Sequence, residues 1–403
     1  MKLLKSKSVL LLVVLLAVFY FTNDFALIDI EKTAIVVAIG VDESEQGYRV
    51  TAQIAVPQAT DTASSNDDAV ITSDGKTPFE AIESIAAKSG WHAKLSFCGV
   101  IILGRAVAEK SATAIIDYLV SSEKFENSTL AVVSDTTAED ILLADTPLDA
   151  ISSFALQKIV LKNEWMTSPV NVTNIKKFAV GTYSRSKAAY LPVIKIIKGD
   201  NKGKAGSSSA VTAAAENSSS SSGSGNGEKK EGSGDGSVVF DASSAALFNN
   251  GKYLATLDGE HAEMLTMLSS PVHENFIDIQ LDDKTYYMHV DCTHKSVDVS
   301  FDGSPVINYA LDLKLKVIDS TAENPLTEND DRSLVTSSLI KAVKEKAEKT
   351  IEELHRTLAE TNCDVLAVKN NIYKFHNSEY DRYGGVPLSE FGFGTNVKVK
   401  SLD

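Results

Sequence analysis

The chain has three cysteines, Cys98, Cys292 and Cys363, too few and too scattered for the disulfide framework of a small exported domain. None directly follows the apolar run near the N-terminus, so the thiol that carries the lipid of a bacterial lipoprotein is missing. The cysteines read instead as buried small apolar groups, and Cys98, inside Leu95 to Leu103, fits that best. Beyond the first residues there is no Lys/Arg stripe with interleaved aromatics, and the net charge is −15. Nucleic-acid binding needs phosphate neutralisation, so that class is excluded. No glycine-rich phosphate loop precedes a helix, and no G-x-S-x-G elbow occurs. With no constellation of nucleophile, base and acid, neither catalysis nor a cofactor is expected.

What is present begins at the N-terminus. Lys2, Lys5 and Lys7 lead into an apolar run of Val9, Leu10, Leu11, Leu12, Val13, Val14, Leu15, Leu16, Ala17, Val18, Phe19, Tyr20 and Phe21. A basic flank before a membrane-seeking segment places the polar remainder on the far side of a membrane. The run is short against the roughly 20 residues a spanning helix wants. Lys7 can snorkel at one end, and Phe25, Leu27 and Ile28 extend the other past Asn23 and Asp24. Small residues are not well placed for cleavage, so a retained anchor is expected rather than a removed signal.

The chain of 403 residues is 43% hydrophobic, enough for two or three cored domains. The clearest boundary is the stretch from Lys198 to Gly236, rich in Ser and Gly, which reads as a flexible tether. A second mobile loop is expected over Gln58 to Asp68. Before the tether, Thr33–Gly40 and Tyr48–Val56 read as a hairpin. Thr77–Ser89 is the best helix signal, with Thr77 as N-cap, Pro78 at the first position, Glu80 completing a capping box and Gly90 past the end. Its Phe79, Ile82, Ile85 and Ala86 are expected on one buried face. Lys94–Leu103 reads as a buried strand, Ala106–Val120 as a helix, Ser128–Val133 as a strand and Thr136–Ala144 as a short helix. An amphipathic piece, Leu148–Leu161, follows.

After the tether, Ala245–Phe248 and Tyr253–Leu257 flank Asn249-Asn250-Gly251, a strong hairpin signal. Then come a helix over Glu260–Leu268 and three strand-like runs, Phe276–Leu281, Tyr286–Phe301 and Ile307–Ile318. A long helix over Asp331–Glu360 carries Leu334, Leu339, Val343, Ala347, Ile351 and Leu354 on one side. Asp364–Phe375 reads as helical and Asn396–Ser401 as a strand. Strands adjacent in sequence argue for α+β rather than a doubly wound parallel sheet.

Candidate chemistry is sparse. On a strand, His289 and Asp291 share one face while Cys292 and His294 share the other, so the four cannot converge on one ion. A solvated strand face is the favoured reading. His355, near Glu352, Glu353 and Arg356, is expected on a solvent-facing helix surface with ion pairs. Trp91-His92 follows a helix C-cap, where an aromatic plugs the turn. Asp381-Arg382-Tyr383-Gly384-Gly385 reads as a turn, with a docking surface as the minor alternative. The acidic run Glu328–Asp331 is expected to start the long helix.

The stretch Ile30-Glu-Lys-Thr-Ala-Ile-Val-Val-Ala-Ile-Gly-Val-Asp42, with Tyr48-Arg-Val-Thr-Ala-Gln-Ile-Ala-Val-Pro57, resembles the start of the Ger(x)C family, the C subunits of spore germinant receptors. The likeness continues through the helix at Thr77, through Leu95-Ser-Phe-Cys-Gly-Val-Ile-Ile-Leu-Gly104, and through the helix and strand from Ile115 to Leu142. Beyond the tether, Ala245-Ala-Leu-Phe-Asn-Asn-Gly-Lys-Tyr-Leu-Ala-Thr-Leu257 resembles the opening of the family's C-terminal domain, and Cys363-Asp364-Val-Leu-Ala-Val its end. Three departures stand out. Asp24 falls about where the lipid-bearing Cys of the family would be, the tether is long, and the aromatic tail is reduced to Tyr380, Tyr383, Phe391 and Phe393. An uncleaved helix in place of a lipid fits the first departure.

The resemblance implies a non-enzymatic subunit of a nutrient germinant receptor on the outer face of the spore inner membrane. It works there with two multi-spanning subunits of the A and B types; contact between this subunit and the small nutrient is left open. The alternative is an envelope-anchored solute-binding or scaffolding protein not tied to sporulation. A hydrolase would require Asp291 and Glu260 to converge. The expected fold class is α+β, mixed sheets with helices in two or three compact domains after an N-terminal membrane anchor. The expected divisions are 1–28 for the anchor, 29–197 for an N-terminal α/β domain, 198–236 for the linker and 237–403 for a C-terminal α+β domain.

Overall fold

The β-branched run from Thr33 folds as β1 (Thr33–Ser44), which turns through Glu45 and Gln46 into antiparallel β2 (Gly47–Ala55). This computed structural model describes residues 11–18, 20, 33–55, 68–165, 172–198, 238–270, 275–321 and 335–402. The loop expected from Gln58, the tether and the acidic run Glu328–Asp331 lie outside the described residues. β3 (Asp68–Gly75) extends the meander at the sheet edge. Its mixed polar sequence lacks the alternation that would mark it in advance.

α1 (Pro78–Ser89) starts and stops where its capping residues dictate. Thr77 Oγ1 accepts from the Glu80 N–H at 3.1 Å, and Gly90 ends the helix at φ 69°. Glu80 reaches one residue further back than a capping box requires, accepting from the Lys76 N–H at 2.9 Å. Ala81, Ile82 and Ile85 are buried, but Phe79 is not on that face; it is 53% exposed and edge-on to Tyr118 at 5.9 Å.

The segment Lys94–Leu103 is not one strand. β4 (His92–Lys94) pairs with Thr33–Ile35, Leu95–Phe97 make a 3-10 turn, and β5 (Val100–Leu103) pairs with Ala38–Val41. β1 bulges between Val36 and Ala38, and the Val37 carbonyl there accepts from the Gly99 N–H at 2.9 Å. The turn steps the chain past that bulge. The helix expected over Ala106–Val120 is likewise two, α2 (Arg105–Lys110) and α3 (Thr113–Ser121). The Gly251 carbonyl enters the break and takes the Ala112 N–H at 2.7 Å, a donor that a continuous helix would use internally. Then follow β6 (Leu130–Ser134), α4 (Ala138–Leu142), α5 (Ser152–Trp165), α6 (Ile175–Tyr183) and β7 (Ala188–Lys198).

β8 (Val238–Asn249) comes after the Ser/Gly stretch in sequence, yet pairs antiparallel with β7, and β9 (Lys252–Leu257) pairs with β8. Asn250 and Gly251 have φ of 51° and 70°, the two positive values a type I′ turn requires. Among the described residues the large sheet has nine strands, ordered β3-β2-β1-β5-β6-β7-β8-β9, with β4 beside β1. Its centre, β1, β5, β6 and β7, is parallel, and helices cover both faces.

The second sheet is built from β10 (Asn275–Leu281), β11 (Lys284–Asp302), β12 (Ser304–Ser320) and β13 (Gly392–Ser401), with β13 parallel to β12. Along β12, Ile307, Tyr309, Leu311, Leu313 and Leu315 alternate inward and are buried. Over them lie α7 (Gly259–Ser269) and α8 (Ser337–Glu360), whose Leu339, Val343, Ala347, Ile351 and Leu354 form the expected inward stripe. Each fully buried Leu or Ile contributes about 1.5–3 kcal/mol. α9 (Val368–Phe375) and α10 (Asn377–Tyr383) follow. The core of this sheet also contains Ala188, Tyr190, Ala245 and Leu247 from β7 and β8. The two sheets therefore share one hydrophobic seam.

Candidate functional site

Residues 11–18 of the apolar run form helix, and Tyr20 is helical as well. Leu11, Leu12, Val13, Val14, Leu15, Leu16, Val18 and Tyr20 are each more than half exposed, from 55% at Val14 to 67% at Tyr20. Val9, Leu10, Phe19 and Phe21 lie outside the described residues. Among the described residues no helix is long and apolar enough to cross a membrane. An apolar helix exposed to water on every side is nonetheless a costly surface.

A second feature is the junction where the C-terminal segment meets the large sheet. Asn249 Nδ2 donates to the Asn362 carbonyl at 2.8 Å, and Cys363 Sγ donates to the Phe248 carbonyl at 3.3 Å. The Arg185 N–H donates to Asn370 Oδ1 at 3.0 Å, and its guanidinium lies over the Tyr373 ring at 4.8 Å. Asp364 is buried here and caps α9: Oδ1 accepts from the Val368 N–H at 2.7 Å and Oδ2 from the Lys369 N–H at 2.8 Å. Burial pushes its carboxyl up to about 6, against the downward pull of the amides and of the neighbouring Ser186 hydroxyl. A cavity of about 200 Å³ opens beside it, lined by Lys177, Phe178, Ser186, Tyr190 and Asn370 among others.

A smaller cavity, about 50 Å³, lies between α7, α8 and the second sheet, with Met264, Met267, Val290 and Val343 around Glu260, Glu263 and Lys346. Burial pushes the Glu263 carboxyl up to about 7, while the Asn275 amide that donates to it pulls it down. Glu260 accepts from Thr350 Oγ1 at 3.1 Å and faces Lys346 at 3.7 Å. Val290 lines this cavity, so Asp291, next along the strand, points to the other face of the sheet. The two acids a hydrolase would need do not converge.

His355 is not on a solvent-facing surface. It is 7% exposed, its Nδ1 is 3.0 Å from the Tyr309 hydroxyl, and its ring stacks on Phe393 at 4.5 Å. β13 packs on α8 there, and covering by the C-terminal strand is what a helix-period reading misses. Burial lowers the imidazole from its usual value. Ion pairs do line the outer face of α8, as in Arg356–Glu352 at 3.5 Å. Trp91 does not plug its turn but stands 47% exposed. Residues 381–383 close α10 and the expected turn falls on Gly384 and Gly385, with the buried Tyr383 hydroxyl donating to the Gly303 carbonyl at 3.3 Å. His289 lies edge-on to Phe276 at 5.5 Å, and β11 bulges between Cys292 and His294. Among the described residues no three His, Cys, Asp or Glu side chains gather as a metal ion would require. Cys98 and Cys363 are buried and Cys292 is partly so.

Comparison with known proteins fixes the family. Residues 27–196 match the model described as spore germination protein N-terminal domain, and residues 243–400 the one described as spore germination B3/GerAC like, C-terminal. Together these matches cover most of the chain. It belongs to the GerAC-like family of spore germination proteins, that of the germinant receptor C subunits. The solved structure titled "Crystal Structure of the GerBC protein" is similar in fold, with a TM-score of 0.52 at 13% identity over 91% of this chain and 97% of that one. No curated protein sequence matches.

Proposed function

We propose that the chain is a non-enzymatic subunit of a nutrient germinant receptor in the spore inner membrane. The apolar run Val9–Phe21 is its anchor, and the two sheets sit on the outer face. The Ser/Gly-rich stretch 198–236, between β7 and β8 in sequence, is read as a linker. Two multi-spanning subunits, of the A and B types, are its partners. One observation carries the membrane part of this reading: a helix that is apolar on every side and exposed on every side. Lipid is the solvent in which such a surface is stable. Anchoring also concentrates the body beside its partners, so weak contacts suffice for assembly.

Affinity isolation of the tagged protein from detergent-solubilised spore membranes should bring down two multi-spanning proteins. A Leu12→Asp, Leu15→Asp variant should move to the soluble fraction and lose both. Recovery of the wild-type protein alone, from the soluble fraction, would count against the reading. The cavity of about 200 Å³ at the junction favours the second reading, an envelope-anchored solute-binding or scaffolding protein. Expression during vegetative growth, rather than in the forespore, would select it.

A further inference from the structure

We infer that the end of the large sheet carrying Trp91, Lys94 and Phe97 rests on the lipid headgroups, as a second membrane contact beside the stem. The inference depends on the stem being membrane-embedded. Connectivity is the first ground for it. Thr33, the first residue of β1, pairs with His92. Trp91 therefore stands where the chain arriving from the stem enters the sheet. Twelve residues separate position 20 from Thr33, a length that spans at most about 47 Å. That end of the sheet is therefore the part of the body tied within this reach of the stem.

The side chains there suit an interface and do not suit water. Leu95 and Cys98 turn inward and are buried, whereas Trp91 is 47% and Phe97 56% exposed. Lys94 places its ammonium over the Phe97 ring at 5.3 Å. Amphipathic indole rings and long lysine stems favour the headgroup layer, with the apolar part toward the acyl chains and the charge toward phosphate. α5 descends to the same end: Gln157 fills the space beside Gly99, and Leu161, one turn further, is 41% exposed. The opposite end of the sheet carries paired charges: Lys110 meets Glu43 at 2.7 Å and Arg49 meets Asp74 at 3.0 Å. Glu43 and Glu45 lie at the β1–β2 turn, and Glu139 and Asp140 open α4 beside Asp42. Lys94 and the two exposed aromatics give the Trp91 end the better fit to an anionic bilayer, which favours one orientation of the body.

The test uses the full-length chain with Trp165→Phe, so that Trp91 is the sole tryptophan of the two. It is reconstituted into phosphatidylcholine–phosphatidylglycerol vesicles, with and without lipids brominated near the headgroup. Flotation with the vesicles reports the stem, and Trp91 emission reports the sheet end. Flotation with a blue-shifted Trp91 quenched about twofold supports the inference. Flotation with Trp91 unquenched by lipid, yet quenched by aqueous iodide, overturns it while leaving the stem reading intact. Failure to float overturns both. A second reporter, Phe97→Trp in a Trp91→Phe, Trp165→Phe chain, should give the same quenching, so the outcome does not depend on one variant's folding.

Discussion

Phe248→Ala is expected to lower the free energy of unfolding by about 3–5 kcal/mol. Phe248 is fully buried on β8, edge-on to Phe178 at 5.0 Å and to Tyr253 at 6.1 Å. Its backbone carbonyl takes the Cys363 thiol, and its neighbour Leu247 points into the core of the second sheet. Few positions touch both halves in this way. Truncation leaves a cavity on the large-sheet side of a strand that both cores share. Neighbours in one close-packed seam relax only partly, so the cavity adds to the lost burial. Urea denaturation read by circular dichroism measures the loss, and hydrogen exchange on β11 and β12 reads its spread. A loss below about 1 kcal/mol, or one confined to the large sheet, would contradict a shared seam.

The pH dependence of stability should carry a component from Asp364 of about 3 kcal/mol, by the usual conversion of a pKa shift. Its carboxyl is raised from 3.8 to about 6 in the folded chain. The folded state then holds the proton more tightly than the unfolded one. Stability from this group is complete below 3.8 and is lost as pH rises through about 6. Above that, the carboxylate is charged inside the junction, held by two amide donors. In Asp364→Asn this component disappears. The difference in unfolding free energy between wild type and variant should fall across that window, in favour of the variant at the high end. A difference independent of pH would mean that Asp364 titrates as an ordinary exposed carboxyl.

Local signals were the legible ones. The Asn250-Gly251 turn and the Thr77, Pro78 and Gly90 signature of α1 each reside in a few adjacent residues whose backbone preferences act alone. The mixed α+β class and the inward stripe of α8 were readable for the same reason. What failed depended on partners distant in sequence. His355 is buried because β13 arrives from the C-terminus. α2 and α3 are separate because the tip of the β8–β9 hairpin inserts between them. The strand over Lys94–Leu103 is divided by a bulge on its neighbour. α6 and β7 passed unread, although β7 is buried along most of its length; its run Ala188–Ile197 holds Pro192 and Lys195, which blur the strand pattern. The apolar run Val9–Phe21 was evident from composition alone. The junction around Asp364 was not, because its members lie on either side of the Ser/Gly-rich stretch.

Germination of spores lacking this gene, across a panel of single nutrients, is the most direct test of the receptor role. The expected result is loss of the response to at least one nutrient, restored by the wild-type chain and not by the Leu12→Asp, Leu15→Asp stem variant. Wild-type germination with every nutrient in the panel would contradict it.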